Sequence, residues 1–170
     1  MPMMLLSGCG LLPHTHPEKE ITPESSHSIQ ELCDFPRQFF ATRYDANKIE
    51  VSVDATKPMT EKISFGNGCS YRTSDQNYLG YVSLLHSADA ITSPQQVEHS
   101  SRTLTVDGVR VTEIAKPIPD YADPATARPW FELIADIDGW EGKLGFKNGD
   151  DQGTQVGARL LVDMIRKLKG

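Results

Sequence analysis

Basic charge, long apolar runs and cysteine are all scarce in this sequence. Lys and Arg number 17 against 23 Asp and Glu, for a formal net charge of −6. The basic patch or stripe expected of a nucleic-acid binder is therefore missing. No stretch approaches the roughly 18 consecutive apolar residues that a membrane-spanning helix needs. Three cysteines in 170 residues exclude a disulfide-dense scaffold. There is no glycine period, no heptad pattern and no solenoid-type repeat, so collagen, coiled-coil and repeat architectures drop out as well. What is present is an ordinary globular composition, 38% hydrophobic, over a length that suits one domain.

The N-terminus is the most informative segment. Residues 1–12 read Met-Pro-Met-Met-Leu-Leu-Ser-Gly-Cys-Gly-Leu-Leu, and no charged side chain precedes Glu18. Leu6-Ser7-Gly8-Cys9 resembles the lipobox of a bacterial lipoprotein. There, small residues admit the signal peptidase and the cysteine sulfur receives a diacylglycerol. A complete signal peptide also carries a positive n-region and an apolar stretch of about 7–15 residues. Here both are short or missing, so this reading places the basic region upstream of Met1. Residues 1–9 are then a partial signal peptide ending in the lipid-attachment residue Cys9. Residues 10–28 are polar and hold three prolines, and they bury too little apolar surface to fold alone. They read as a tether between the membrane and a single domain over 29–170. The anchor would be the acyl chains, worth about 0.8 kcal/mol per buried methylene.

Cys33 and Cys69 remain as an even pair. In an exported protein they are expected to form a disulfide. Such a loop contributes about 3–4 kcal/mol in the chain-entropy model. In a reducing compartment the same two residues would read as separate buried thiols.

Hydrophobic spacing predicts the elements. Ile29, Leu32 and Cys33 fit one helical turn. Pro36 suits the first position of a second helix, with Phe39, Phe40 and Tyr44 on its apolar face and an end near 45–47. Ile49–Val53 alternates as a half-buried strand. After the Gly66-Asn67-Gly68 turn, a strand carries Cys69, Tyr71 and Thr73 on one side, and Tyr78–Leu85 returns beside it. Ser93-Pro94 opens a short polar helix through about His99. Asp107-Gly108 and Asp138-Gly139 each sit between alternating segments, the strongest short hairpin signal. In the second hairpin Phe131, Leu133, Ala135 and Ile137 share a face. Gly142 and Gly145 weaken its return arm and invite bulges. Four prolines make 116–129 a loop. Val156, Leu160, Leu161, Met164, Ile165 and Leu168 define the stripe of a final helix, with acidic residues before it and basic ones at its end. The expected fold is α+β: a mainly antiparallel sheet of about six strands with helices near both chain ends.

Taken together, the order of lipobox, polar spacer, Leu32-Cys33-Asp34-Phe35-Pro36 and Gly68-Cys69-Ser70-Tyr71 resembles small actinobacterial envelope lipoproteins of unknown function. That resemblance implies an extracytoplasmic, membrane-anchored protein, and it brings no catalytic residue with it.

Chemistry-bearing patterns are sparse. His14 and His16, with His27 further on, lie in the spacer without ligands at helix or strand spacing, so no metal is expected. Glu132, Asp136 and Asp138 fall on one side of a strand, which is more often a wet face than an acid–base or calcium site. Gly66-Asn67-Gly68 lacks the Lys-Ser/Thr of a phosphate loop. No Gly-x-Ser-x-Gly elbow exists. Tyr121, Trp130 and Trp140 gather in sequence around the second hairpin, and aromatics are enriched at recognition surfaces. They are the candidate ligand surface, set against core packing of at least one tryptophan. The functional expectation is a non-enzymatic binding or accessory role at the cell envelope, with no cofactor and no nucleic acid. Its partners would be the membrane, through the lipid, and an unidentified envelope component or protein. The alternative is a secreted envelope-acting hydrolase built on His86 or His99.

Overall fold

Two Asp-Gly pairs set the spine of the fold. In both, the aspartate and the glycine have positive φ, 47° and 80° at Asp107-Gly108 and 54° and 80° at Asp138-Gly139. This is the turn whose twist matches that of paired strands. The computed structural model describes residues 23–54, 57–64, 67–86, 100–123, 125 and 127–170. Its elements in chain order are α1 (Ile29–Asp34), α2 (Arg37–Arg43), β1 (Ile49–Val53), β2 (Gly68–Thr73), β3 (Tyr78–His86), β4 (Ser100–Val106), β5 (Val109–Lys116), β6 (Trp130–Ile137), β7 (Trp140–Phe146) and α3 (Asp151–Leu168). The strands form one antiparallel sheet in the order β1-β2-β3-β7-β6-β5-β4. The fold is α+β with seven strands, one more than the sequence suggested. The short helix expected from Ser93, with His99, lies outside the described residues, as do Cys9, His14 and His16.

The return arm of the second hairpin, expected to be weak, is a full strand. Phe131 pairs with Phe146 and Ile137 with Trp140 in unbroken register, so Gly142 and Gly145 create no bulge. They are small because other side chains need the space. A Cβ at Gly142 would stand 2.7 Å from Ile165 Cγ1, so α3 lies directly on the sheet there.

One face of the sheet is covered by α3, with α1 and α2 beside it. Leu133, Leu144, Phe146, Val82 and Leu84 point into this core. On α3 the buried residues include Thr154, Ala158, Leu161, Ile165 and Leu168, which recur at helical spacing. Val156 is 49% exposed and Leu160 only half-buried. The stripe is thus rotated from the one predicted, onto the small residues Thr154, Gly157 and Ala158; a Cβ at Gly157 would stand 3.0 Å from Leu133 Cδ1.

The Cys33–Cys69 disulfide is present, with an S–S distance of 2.00 Å and Cα atoms 5.5 Å apart. It joins α1 to β2 inside the core, where both cysteines are fully buried. Tyr71 OH donates to the Cys33 carbonyl at 2.7 Å and holds the same junction. The folded unit also reaches back before Ile29 into the predicted tether. Ser25 is buried, donating its N–H to Ile63 O and its hydroxyl to Leu168 O. Ser28 caps α1 with Glu31 as a capping box.

Asp150 caps α3, accepting from the Gly153 N–H at 2.6 Å. That bond, with Arg43 beside it, holds the Asp150 carboxyl below its ordinary value of 3.8. A depressed carboxylate contributes stability above the unfolded pKa and loses it as pH falls through the folded one. Asp150→Ala is therefore expected to cost about 1 kcal/mol in urea unfolding at neutral pH. The gap from the parent should close as pH drops below about 4. A gap that stays constant into acid would show that the carboxylate charge contributes nothing.

Candidate functional site

The face of the sheet opposite α3 carries an aromatic row that alternation alone does not predict. Strict period-two reading puts Tyr78 and Tyr81 on opposite faces. The register of β2 and β3 shifts, however: Tyr71 pairs with Gly80 and Arg72 with Tyr78. Leu79 is the extra residue of a β-bulge, a device that re-aims a side chain. As a result Tyr78 joins Tyr81 on the face that also bears Arg72, Ser70 and Trp130. Tyr78 and Trp130 have ring centroids 5.7 Å apart with planes 5° from parallel. Tyr81 and Trp130 are 6.1 Å apart at 14°. All three rings are half-buried.

Gly145 makes this arrangement possible. It lies opposite Tyr81 on one side and Glu132 on the other. A Cβ there would meet Tyr81 Cε1 at 2.3 Å and Trp130 Cζ2 at 2.8 Å. Any larger residue would push the rings apart.

Polar groups border the rings. Arg72 Cζ stands 5.2 Å from the Tyr78 centroid, within cation–π range. Ser70 Oγ donates to Asp54 at 2.9 Å. Tyr81 OH donates to Glu132, and Lys116 Nζ lies 3.7 Å from the same carboxylate. Burial raises the Tyr81 phenol above its ordinary pKa, and the adjacent Glu132 raises it further. Tyr78 is also raised by burial, with Ser70 and Arg72 pulling the other way. Both phenols are thus neutral donors at physiological pH. Trp130 Nε1 is buried and has no hydrogen-bond partner among the described residues. Unpaired buried donors are costly, so such a group calls for an acceptor.

The structure separates the three aromatics grouped by sequence. Trp130 and Trp140 stand at opposite ends of the β6–β7 hairpin and on opposite faces. Trp140 is 3% exposed in the core and Tyr121 is 91% exposed. Only Trp130 belongs to the row, and its neighbours come from β3. The acidic trio is also dispersed in role: Glu132 holds Tyr81, Asp136 accepts from the Gly139 N–H at 3.2 Å, and Asp138 pairs with Lys169. His27 pairs with Glu31. His86 lies on the α3-facing side, its ring edge against Trp140 at 5.5 Å, and its Nδ1 has no partner among the described residues.

A concavity lies between α2 and α3, lined by Phe39, Thr42, Arg43, Val156 and Leu160. Its one cation, Arg43, is already engaged by Asp150 and the Asn148 carbonyl. No family model, curated protein or solved structure matches the chain.

Proposed function

We propose that this protein is an extracytoplasmic, lipid-anchored binding domain that acts at the cell envelope without catalysing a reaction. The observation that carries this reading is the buried Cys33–Cys69 disulfide. Such bonds persist in oxidising compartments and are rare in reducing ones. Leu6-Ser7-Gly8-Cys9 supplies the attachment signal, and the polar, proline-containing stretch after it the spacer. A binding role is supported by the aromatic row and its mixed polar border. No Ser, Asp or Glu among the described residues hydrogen-bonds His86 Nδ1.

Geometry suits a tether. Ser25 bonds to Leu168, and Gly170 packs beside Glu24 and Trp140, so the chain enters the fold at the C-terminal end of α3. Trp130 and Tyr78 lie at the other end of the strands. That is about 20 Å away along β7 at roughly 3.3 Å per residue. An anchored domain would therefore present the row away from its point of attachment.

The test is the intact mass of the protein purified from its host membranes, with and without reductant and thiol alkylation. A diacylglyceryl adduct on Cys9, with Cys33 and Cys69 alkylated only after reduction, is expected. An unmodified Cys9 together with two freely alkylated thiols would remove the envelope address.

A further inference from the structure

We propose that the free edge of β4 takes an extended acidic segment of a partner protein as an added strand, with aliphatic side chains of that segment seated between β4 and α3. The inference deepens the binding reading above. It rests on that reading for where the partner is met, not for the chemistry of the site.

β4 is the last strand of the sheet and pairs only with β5 among the described residues. The two-residue turn at Asp107-Gly108 makes Val106 and Val109 a hydrogen-bonded pair. Along an antiparallel ladder such pairs alternate with open ones. Arg102, Leu104 and Val106 therefore turn their backbone groups towards β5, while Ser101, Thr103 and Thr105 turn theirs outward. These three residues are exposed, and their backbone groups meet no other described residue. An edge of this kind is a template for a further strand, and natural edges are commonly blunted by proline, lysine or a bulge. β4 has none of these over its seven residues. Its one charge, Arg102, is held on the α3 side by Glu113 and Asp151.

Beside the edge runs a groove of about 310 Å³ between β4 and α3. Leu104, Val106 and Ala158 give it an apolar floor, and Gln155 and Arg159 stand on its helical rim. Strand and helix run the same way, tied at one end by Arg102 to Asp151 and at the other by Arg166 to Asp107. The groove thus follows the edge for about five residues, roughly 17 Å at 3.4 Å each. In strand addition the backbone supplies affinity, and alternate side chains enter such a groove and supply specificity.

Charge selects the partner. Arg110 on β5 lies opposite Thr105, and Arg159 on α3 lines the groove. Both are exposed, and neither has a hydrogen bond, ion pair or ring contact among the described residues. They flank the edge on its two faces, so a strand with a carboxylate on each face meets a cation on each. A second copy of this chain would instead bring two more such arginines. Its groove carboxylate, Asp107, is already held by Arg166. Like charges set against each other disfavour that pairing.

The experiment uses the full chain with its disulfide intact and two fluorescein-labelled peptides. One is Glu-Thr-Val-Glu-Val-Thr-Glu, as long as β4, and the other has lysine in place of each glutamate. By fluorescence anisotropy the acidic peptide is expected to saturate the protein, and the basic one to bind at least about tenfold more weakly. Thr103→Pro removes the central outward N–H, which the β4–β5 ladder does not use, and an edge strand tolerates proline there. Affinity in this variant should fall by about tenfold or more. Arg159→Glu, at an exposed position, should weaken binding severalfold. It decides the matter if Thr103→Pro does not fold. Absence of saturation by the acidic peptide at about 1 mM overturns the proposal. So does equal binding of the basic peptide, or affinity unchanged in Arg159→Glu and, where it folds, in Thr103→Pro. Sedimentation of the chain alone should show a monomer. A dimer that Thr103→Pro dissolves would give the edge to a second copy and overturn the proposal too. Peptide binding by a protein that carries no lipid on Cys9 would sink the envelope address and leave the strand site standing. A lipidated protein that takes no peptide would do the reverse.

Discussion

Reduction of the Cys33–Cys69 bond is expected to lower the stability of this protein by about 4 kcal/mol. The bond closes a loop across a sequence separation of 36, and the chain-entropy relation for a loop of that length gives this figure. For a domain of this size the melting temperature should fall by roughly 8–16 °C. Because both sulfurs are fully buried, reduction leaves two thiols in an apolar site, where they pack without a new polar cost. The loss should therefore be close to the entropic figure. Thermal and urea unfolding with and without reductant measure it directly. Midpoints that coincide would mean the α1–β2 junction holds without the covalent link.

Phe40→Ala should be as damaging, at about 3–5 kcal/mol. Phe40 has no exposed surface. Its ring stacks on Tyr71 at 4.3 Å and 18°, and Phe39 meets it edge-on at 5.3 Å. Truncation would open a cavity between α2 and β2, and rigid β-sheet neighbours cannot collapse to fill it. Tyr71 also bonds to Cys33, so Phe40 and the disulfide stabilise one junction. Their effects should then sum to less than the separate losses. Urea titration of Phe40→Ala in oxidised and reduced forms checks this. Strict additivity would show that the ring and the disulfide act independently, and a loss below about 1 kcal/mol that the ring is replaceable.

Much of the fold was legible because its signals are local. Alternation in Ile49–Val53 marked β1 to the residue. The two Asp-Gly turns fixed both hairpins, since their chemistry demands a backbone that few other residues tolerate. Cysteine counting located the one covalent link. The row of rings was not legible, and the reason is physical. A bulge reverses the facing of one side chain without any mark in the sequence, so simple alternation would have set Tyr78 and Tyr81 on opposite faces. Trp130 finds its neighbours on β3, across β7, and no local pattern encodes that distance. Gly145 was read as a defect in its own strand, yet its smallness serves rings that belong to two others. The same error rotated the stripe of α3: Val156 and Leu160 counted as core by their chemistry, while Thr154 and Ala158 are the buried residues.

The strand order carries a last consequence. β1, β2 and β3 form one up-and-down unit and β4 to β7 another, and between strands they meet through the β3–β7 pairing. Cys33 and Cys69 both precede β3 in the chain, so the sulfur bridge belongs wholly to the first unit. As the polypeptide emerges from its N-terminus, oxidation need not wait for the second half to be made. The early half can be locked while the edge of β3 is still vacant, and the later strands then add to a template already closed.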